Sequence, residues 1–179
     1  LLTFRQIHEE EQMLHLQYGS LEPLVREWGD AFAPLAYQQN LRYNTHYDLP
    51  EITYAYDADV LEKILNNLLS NAFKYTPKGG NICLRIWLNS TEEMLQIEVE
   101  DSGPGISPEK LDLIFQRFYR ANRGSTTKGS GIGLAFTQEL VELYGGTITA
   151  QSKQGEGSTF SVSLPMRPHQ IHSTKREIP

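Results

Sequence analysis

The sequence predicts an α+β fold, a two-layer sandwich of a mixed, mostly antiparallel sheet packed on helices. Three observations carry that expectation. Most strand-like stretches directly follow another one, so they pair with sequence neighbours. One long, strongly periodic helix spans 59–76 and needs a partner layer to bury its apolar stripe. The regular strand–helix alternation of a doubly wound sheet is absent. The chain has 179 residues, 39% hydrophobic and 21% charged, enough for one packed domain with a short appendage.

Taken in order, residues 1–12 read as the end of a helix, with Leu1, Phe4, Ile7 and Glu11 at helical spacing. Starting at residue 1 without a cap, that helix looks cut from a longer one. Alternation over 13–18 suggests a short strand closed by Gly19. Ser20 is the expected N-cap of a single helix through Gln39. Pro23 fits its first turn, Leu24, Val25, Trp28, Phe32, Leu35 and Ala36 form its stripe, and Pro34 kinks it. Strands are expected at 41–47 and 52–56.

The helix over 59–76 opens on Asp59 and Glu62 in a capping-box pattern. Leu61, Ile64, Leu65, Leu68, Leu69 and Ala72 share one face, and Pro77 and Gly79-Gly80 end it. Residues 81–88 and 94–100 alternate as an antiparallel pair around a polar turn at 89–93. Six of the 14 glycines fall within 101–133, where an even spread would put about three. A helix at 132–144 stops at Gly145-Gly146, and a hairpin of 147–152 and 159–164 turns around 153–158. From Pro165 the chain reads as a linker or tail.

Composition removes several functions. Sixteen basic residues against 22 acidic ones give a net charge of −6, which argues against binding nucleic acid through phosphate neutralisation. One cysteine, Cys83, supplies neither an internal disulfide nor a multi-cysteine zinc site, and its alternating strand makes it buried filler. No apolar run reaches the ~18–20 residues that span a bilayer, and no signal peptide opens the chain. A soluble chain of a reducing compartment is expected. The histidines show no metal-like pairing outside His169 and His172 of the tail.

The chemistry concentrates in two glycine runs and one helix face. Asp101-Ser-Gly103-Pro-Gly105 follows a strand, and Gly129-Ser-Gly131-Ile-Gly133-Leu134 runs into a helix. Alternate glycines before a helix let backbone approach an anion, and the helix start offers unpaired N–H groups. The run is no P-loop, lacking Gly-Lys-Ser/Thr, and it sits in no βαβ dinucleotide unit. On the long helix, Asn67 and Asn71 are four residues apart and Lys74 lies three further on, so all three share a side. An Asn carbonyl can complete the coordination of Mg²⁺ held mainly by phosphates and water, and a lysine can neutralise phosphate charge.

These runs resemble a known family. Asn67-Leu-Leu-Ser-Asn71-Ala-Phe-Lys74-Tyr75-Thr resembles the N box of sensor histidine kinases, and Asp101-Ser-Gly103-Pro-Gly105-Ile106 their first glycine box. Phe115-Gln-Arg117-Phe118-Tyr119-Arg120 resembles the phenylalanine box, and Gly129 to Leu134 the second glycine box. Gly155-Glu-Gly157-Ser-Thr159-Phe160 resembles the closing Gly-x-Gly-Ser-Thr-Phe. The opening residues and the stretch from Tyr75 to Gly80 are also similar to hybrid two-component sensors.

The resemblance implies a Bergerat-type ATP-binding fold of the GHKL superfamily. Residues 13–165 would be the catalytic ATP-binding domain, 1–12 the end of the dimerisation helix and 166–179 a C-terminal linker or tail. It implies that Asn71 ligates Mg²⁺, that Asn67 lies beside the triphosphate and that Lys74 contacts phosphate. Tyr75 would pack near the adenine, and Asp101 would accept a hydrogen bond from its exocyclic amine. Gly105 would give the ring room and Thr159 would support the same edge through its hydroxyl or a water, with Gly103 and Ile106 further cofactor-binding residues of the loop. Gly129, Gly131, Gly133 and Leu134 would present amides to the phosphates beneath a lid over about 120–128. Arg117, Arg120, Arg123 and Lys128 are the lid's candidate cations.

The implied activity is transfer of the ATP γ-phosphoryl group to a histidine on a dimerisation domain outside these 179 residues, and thence to a response-regulator receiver domain. Such catalysis is positioning plus charge stabilisation. His8-Glu9 copies only the first two residues of the family's phosphoacceptor segment, so the chain is expected to bind ATP without autophosphorylating. Cytoplasmic localisation, with a membrane only through the parent protein, is also implied. Two alternatives are a hydrolytic ATPase of the same superfamily and a nucleotide-binding module without transfer. Hydrolytic relatives place a glutamate four residues before the metal-binding asparagine, where this chain has Asn67, which cannot act as a base. Glu62 is nine residues before Asn71 and lies on a different face.

Overall fold

The computed structural model describes residues 14–119 and 131–168. The expected end of a dimerisation helix, the whole of the expected lid and the tail from 169 lie outside the described residues. The elements are β1 (Gln17–Ser20), α1 (Glu22–Asp30), α2 (Ala33–Gln39), β2 (Arg42–Asp48), β3 (Thr53–Tyr56) and α3 (Ala58–Tyr75). They continue with β4 (Asn81–Asn89), β5 (Met94–Asp101), α4 (Pro108–Leu111), α5 (Gly133–Leu143), β6 (Thr147–Lys153), β7 (Gly157–Pro165) and β8 (Arg167–Pro168).

Five strands form the main sheet in the order β2-β4-β5-β7-β6, with β2 and β4 parallel and the other pairs antiparallel. A smaller antiparallel sheet has the order β1-β3-β8. The mixed, mostly antiparallel sheet on helices matches the sequence expectation. Period-two alternation builds its inner face from Ile82, Leu84 and Ile86 of β4, Leu95, Ile97 and Val99 of β5, and Phe160, Val162 and Leu164 of β7. Against this core α3 turns the stripe Leu61, Ile64, Leu65, Leu68 and Leu69, each at most 1% exposed. The out-of-phase residues of β5, Gln96, Glu98 and Glu100, face away from the core, and Arg85 bridges Glu98 and Glu100 there at 2.6 and 2.9 Å. Cys83 shares that outer face and is half-buried rather than core filler; burial pushes its thiol up.

Local chemistry explains the other departures. The strand expected at 13–18 is found at Gln17–Ser20, so Gly19 lies inside it and Ser20 ends it instead of capping a helix. Leu21 is the N-cap of α1, with no side-chain cap. The single helix expected through Gln39 is two helices, because Pro34 cannot donate to the Asp30 carbonyl and its ring crowds that oxygen. Pro34 instead falls in the first turn of α2, where a missing amide costs little.

The capping box expected at Asp59 is displaced. Asp57 caps α3, its Oδ1 accepting from Val60 N at 3.1 Å, and Asp59 sits in the first turn. Asp57 Oδ2 also accepts from His15 N at 2.7 Å, and Asp57 N donates to Tyr144 Oη at 2.5 Å. One residue thus ties three segments: its carboxylate holds the incoming chain and the start of α3, and its backbone N–H holds the end of α5. Packing also continues past Pro165: Met166 is 1% exposed and β8 pairs with β3.

Candidate functional site

Asp101 is the last residue of β5 and continues the inner alternation Leu95, Ile97, Val99, so strand parity aims a carboxylate into the core layer. It is 8% exposed. Gly103 N donates to Oδ1 at 2.7 Å, and Ser158 N is a second backbone donor to the carboxylate. Burial pushes its pKa up from 3.8 to about 6 against those two bonds, and the neighbouring Glu100 charge adds to the rise. A half-satisfied buried carboxylate calls for a further donor.

The loop after Asp101 is held on three sides. Ser102 N donates to Asn81 O at 3.0 Å, and Asn81 N returns a bond to Ser102 Oγ at 2.8 Å. Gly155 N donates to Pro104 O at 2.7 Å, and Ile106 N donates to Ser152 Oγ at 2.8 Å. Gly105 has φ +65°, and a Cβ there would lie 2.0 Å from Lys153 O, so only glycine lets loop and hairpin meet. A Cβ on Gly103 would lie 2.6 Å from Asp101 Oδ1 and 3.2 Å from Tyr75 O. The C-terminal end of α3 therefore abuts the Asp101 loop.

On α3, Asn67, Asn71 and Lys74 are each partly exposed on a side separate from the buried leucines. Lys74 Nζ lies 4.9 Å from the Tyr75 ring centroid, and Tyr75 is 38% exposed. At the opposite end of the loop region, α5 starts at Gly133 behind the N-cap Ile132, and no side chain among the described residues caps it. Its first-turn N–H groups are therefore left for an anion. A Cβ on Gly133 would meet nothing within 4 Å among the described residues. Gly131 has φ +70°, and its carbonyl accepts from Phe118 N at 2.9 Å, joining the phenylalanine-box segment to this helix start. Leu134 packs against the core and fixes the start of α5.

Two expected residues act differently. Thr159 pairs with Glu100 and shares the outer sheet face with it, whereas Ser158 pairs with Asp101 on the inner face. Ser158 therefore supports the carboxylate, and the expectation for Thr159 is corrected by one residue of strand parity. The signal was present: counting back by two from Leu164, Val162 and Phe160 reaches 158. Arg117 donates to Glu139 Oε1 from Nε at 2.9 Å and from Nη2 at 2.6 Å, so it anchors to α5 instead of standing free as a lid cation. Arg120, Arg123, Lys128 and Gly129 lie outside the described residues.

For a metal, the described residues hold no group of three His, Cys, Asp or Glu side chains able to bind one. What α3 provides is a neutral amide oxygen at Asn71. That donor fits Mg²⁺ arriving on phosphates with its waters and does not fit an independent protein cage.

The comparisons with known proteins agree with this fold. Residues 56–168 match the family described as histidine kinase-, DNA gyrase B-, and HSP90-like ATPase. "Histidine kinase P4" of Formosa agariphila is 36% identical over 171 residues, covering 93% of this chain and 12% of that protein. "Adaptive-response sensory kinase SasA" of Synechococcus elongatus is 42% identical over 146 residues, covering 82% of this chain and 35% of that one. Among solved structures, full-length ShkA in complex with AMPPNP superposes with a TM-score of 0.75 at 27% identity, covering 87% of this chain and 32% of that one. The chain thus spans only a minor part of the length of these relatives. With its uncapped helix start, its buried strand-end aspartate and its asparagine-bearing helix, this chain belongs to the histidine kinase-, DNA gyrase B- and HSP90-like ATPase family and carries the ATPase domain of the sensor histidine kinases.

Proposed function

We propose that this chain binds ATP with Mg²⁺ and donates the γ-phosphoryl group to a histidine of a dimerisation domain in a two-component sensor kinase, which passes it to a receiver domain. The observation that carries the reading is Asp101. A carboxylate 8% exposed, with two backbone donors among the described residues, is costly unless a ligand supplies another, and an exocyclic amine of adenine does so.

In this reading Tyr75 borders the purine, and Gly103, Gly105 and Ile106 form the loop wall beside it. The uncapped amides at Gly133 and Leu134, with Gly129 and Gly131 before them, face the polyphosphate. Asn71 holds the metal that arrives with the nucleotide, and that metal neutralises phosphate charge. Asn67 orients the phosphates without acting as a base. Lys74 reaches a phosphate by leaving its position over Tyr75. Residues 13–165 with β8 form the ATP-binding unit, 1–12 end the dimerisation helix, and the remaining tail is a linker. The unit works on the cytoplasmic side, with any membrane contact made by the parent protein.

The test is calorimetric titration of ADP and ATP with and without Mg²⁺, followed by radiolabelled ATP with the dimerisation domain supplied in trans. Binding that strengthens with Mg²⁺ in wild type but not in Asn71→Ala, and label on the added histidine domain alone, are the expected results. A folded protein without affinity for adenine nucleotides at millimolar concentration overturns the reading.

A further inference from the structure

Strand β2 is one edge of the main sheet, and no described strand pairs with its outer side. One bond fixes which backbone groups point there. Arg42 N donates to Gly80 O at 2.9 Å, on the β4 side, so Asn44, His46 and Asp48 also turn their amides and carbonyls to β4. Those of Tyr43, Thr45 and Tyr47 face outward, and no described residue bonds them.

The strand is held ready for a partner. On its inner face Tyr43 Oη donates to Gly29 O at 2.8 Å, and Thr45 Oγ1 and Tyr47 Oη donate to Asp30 Oδ1 at 3.2 and 3.0 Å. These bonds to the end of α1 fix the strand in advance, which lowers the ordering cost of pairing it. On its outer face Arg42, Asn44, His46 and Asp48 are exposed. Arg42 Nε donates to Asn81 Oδ1, and neither Arg42 nor Asp48 has an ion pair among the described residues. A cavity of about 490 Å³ is lined by Thr45, His46, Tyr47 and Asp48 with Arg26 and Trp87, so no described residue fills the space beside this end of the strand.

Turned antiparallel to a second copy about Thr45, the strand is its own complement. Arg42 falls opposite Asp48 of the second copy, Tyr43 opposite Tyr47, Asn44 opposite His46, and Thr45 opposite Thr45. Residues 43, 45 and 47, whose backbone groups point outward, then form the hydrogen-bonded pairs. Each end gains an ion pair and the inner face gains aromatic pairs, the cross-strand contacts that stabilise a sheet. A shift of two residues either way removes both ion pairs. The other edges lack this symmetry. β6 carries Lys153 and no acid, and a lone lysine guards an edge against pairing. β1 and β8 are only four and two residues long.

We infer that β2 is a self-docking edge: two copies of this chain pair their β2 strands antiparallel about Thr45 and share one continuous sheet. The contact is isologous, with a two-fold axis at Thr45. It is independent of the nucleotide reading and of any dimerisation helix, because every group in it belongs to the ATP-binding unit. One seven-residue strand gives far less than a standard interface of about 1,600 Å², so the pairing is weak, with a dissociation constant on the order of 0.1 mM.

Sedimentation equilibrium on the full chain, from about 10 µM to about 1 mM, tests this. Salt of ~0.15 M screens the net charge of −6 on each copy beyond about 8 Å. The apparent mass is expected to climb from 20.4 kDa towards twice that value. Arg42→Glu and Asp48→Arg each place like charges at both ends and should weaken the dimer by about tenfold. Carrying both changes together reverses each pair and should return affinity to within about threefold of wild type. Thr45→Pro removes an outward N–H that the single copy leaves unbonded and should abolish pairing. A wild-type chain that stays monomeric throughout overturns the inference and leaves the edge to another occupant. A dimer that ignores the single changes, or that the double variant does not recover, associates through a different surface and overturns it too. If Thr45→Pro does not fold, the charge variants decide the matter, because they leave the strand backbone as it is.

Discussion

Replacing Asp101 by asparagine separates the two roles assigned to that carboxylate, because they respond with opposite signs. The folded-state pKa lies at about 6, above the unfolded 3.8, with burial as the leading cause. A raised carboxylate gives stability that is fully present below the unfolded pKa and is lost as pH rises through the folded one. The separation is about two units, so the ionised group costs the free protein about 3 kcal/mol near neutral pH. Asparagine removes that charge but leaves one of the two donors, Gly103 N or Ser158 N, less well matched, an offset of about 1 kcal/mol. Asp101→Asn should therefore stabilise the nucleotide-free protein by about 1–2 kcal/mol at pH 7.5. The gain should fade as pH falls through about 6 towards 4, where wild type is itself neutral.

Nucleotide binding should move the other way. The amine of adenine prefers the ionised acceptor, so wild-type affinity for ADP should fall as pH drops through about 6. Loss of a charge-assisted hydrogen bond should weaken ADP binding by Asp101→Asn by about 10- to 100-fold at pH 7.5. Urea unfolding at pH 4.5, 6 and 7.5, paired with calorimetry at the two higher values, reads both effects. Equal destabilisation of the variant at every pH, together with undiminished ADP affinity, would refute the reasoning and leave Asp101 as a turn residue.

Two further substitutions probe the scaffold. Asp57→Ala removes the α3 cap and the acceptor for His15 N, and should cost about 2–3 kcal/mol in urea unfolding, whereas Asp57→Asn should recover most of the cap. Equal losses in both variants would mean that the cap is not what matters. Gly157 has φ +110°, and a Cβ there would lie 2.0 Å from Asp101 O, so Gly157→Ala should destabilise by about 1–3 kcal/mol. It should also weaken ADP binding by displacing β7 from Asp101, and unchanged binding in a folded variant would argue that the two strands are not rigidly joined.

Much was legible because much of the physics is local. The stripe on α3 follows from a 3.6-residue period, and the alternations of β4, β5 and β7 from a period of two. Gly105 is required by a positive φ, a property of its own backbone as well as of its neighbours. Those features set the fold class, placed Asp101 at a strand end and put Asn67, Asn71 and Lys74 on one side of a helix. The errors arose where local signals compete. Asp57 and Asp59 are both acceptable caps by composition, and the choice went to the residue with extended φ and ψ whose carboxylate also reaches His15 N.

The sequence by itself determined the periodic elements, the glycine loops and the identity of the groups that could meet a nucleotide, since each depends on residues within one or two turns of one another. Only the tertiary structure decided which groups meet. The antiparallel register of β5 and β7 selects Ser158 over Thr159, and the approach of β6 brings Ser152 to Ile106. The parallel pairing of β2 with β4 and the return of β8 to β3 join segments far apart in the chain. Register and crossover depend on burying one face of every strand at once, a condition satisfied by the whole core and by no single segment.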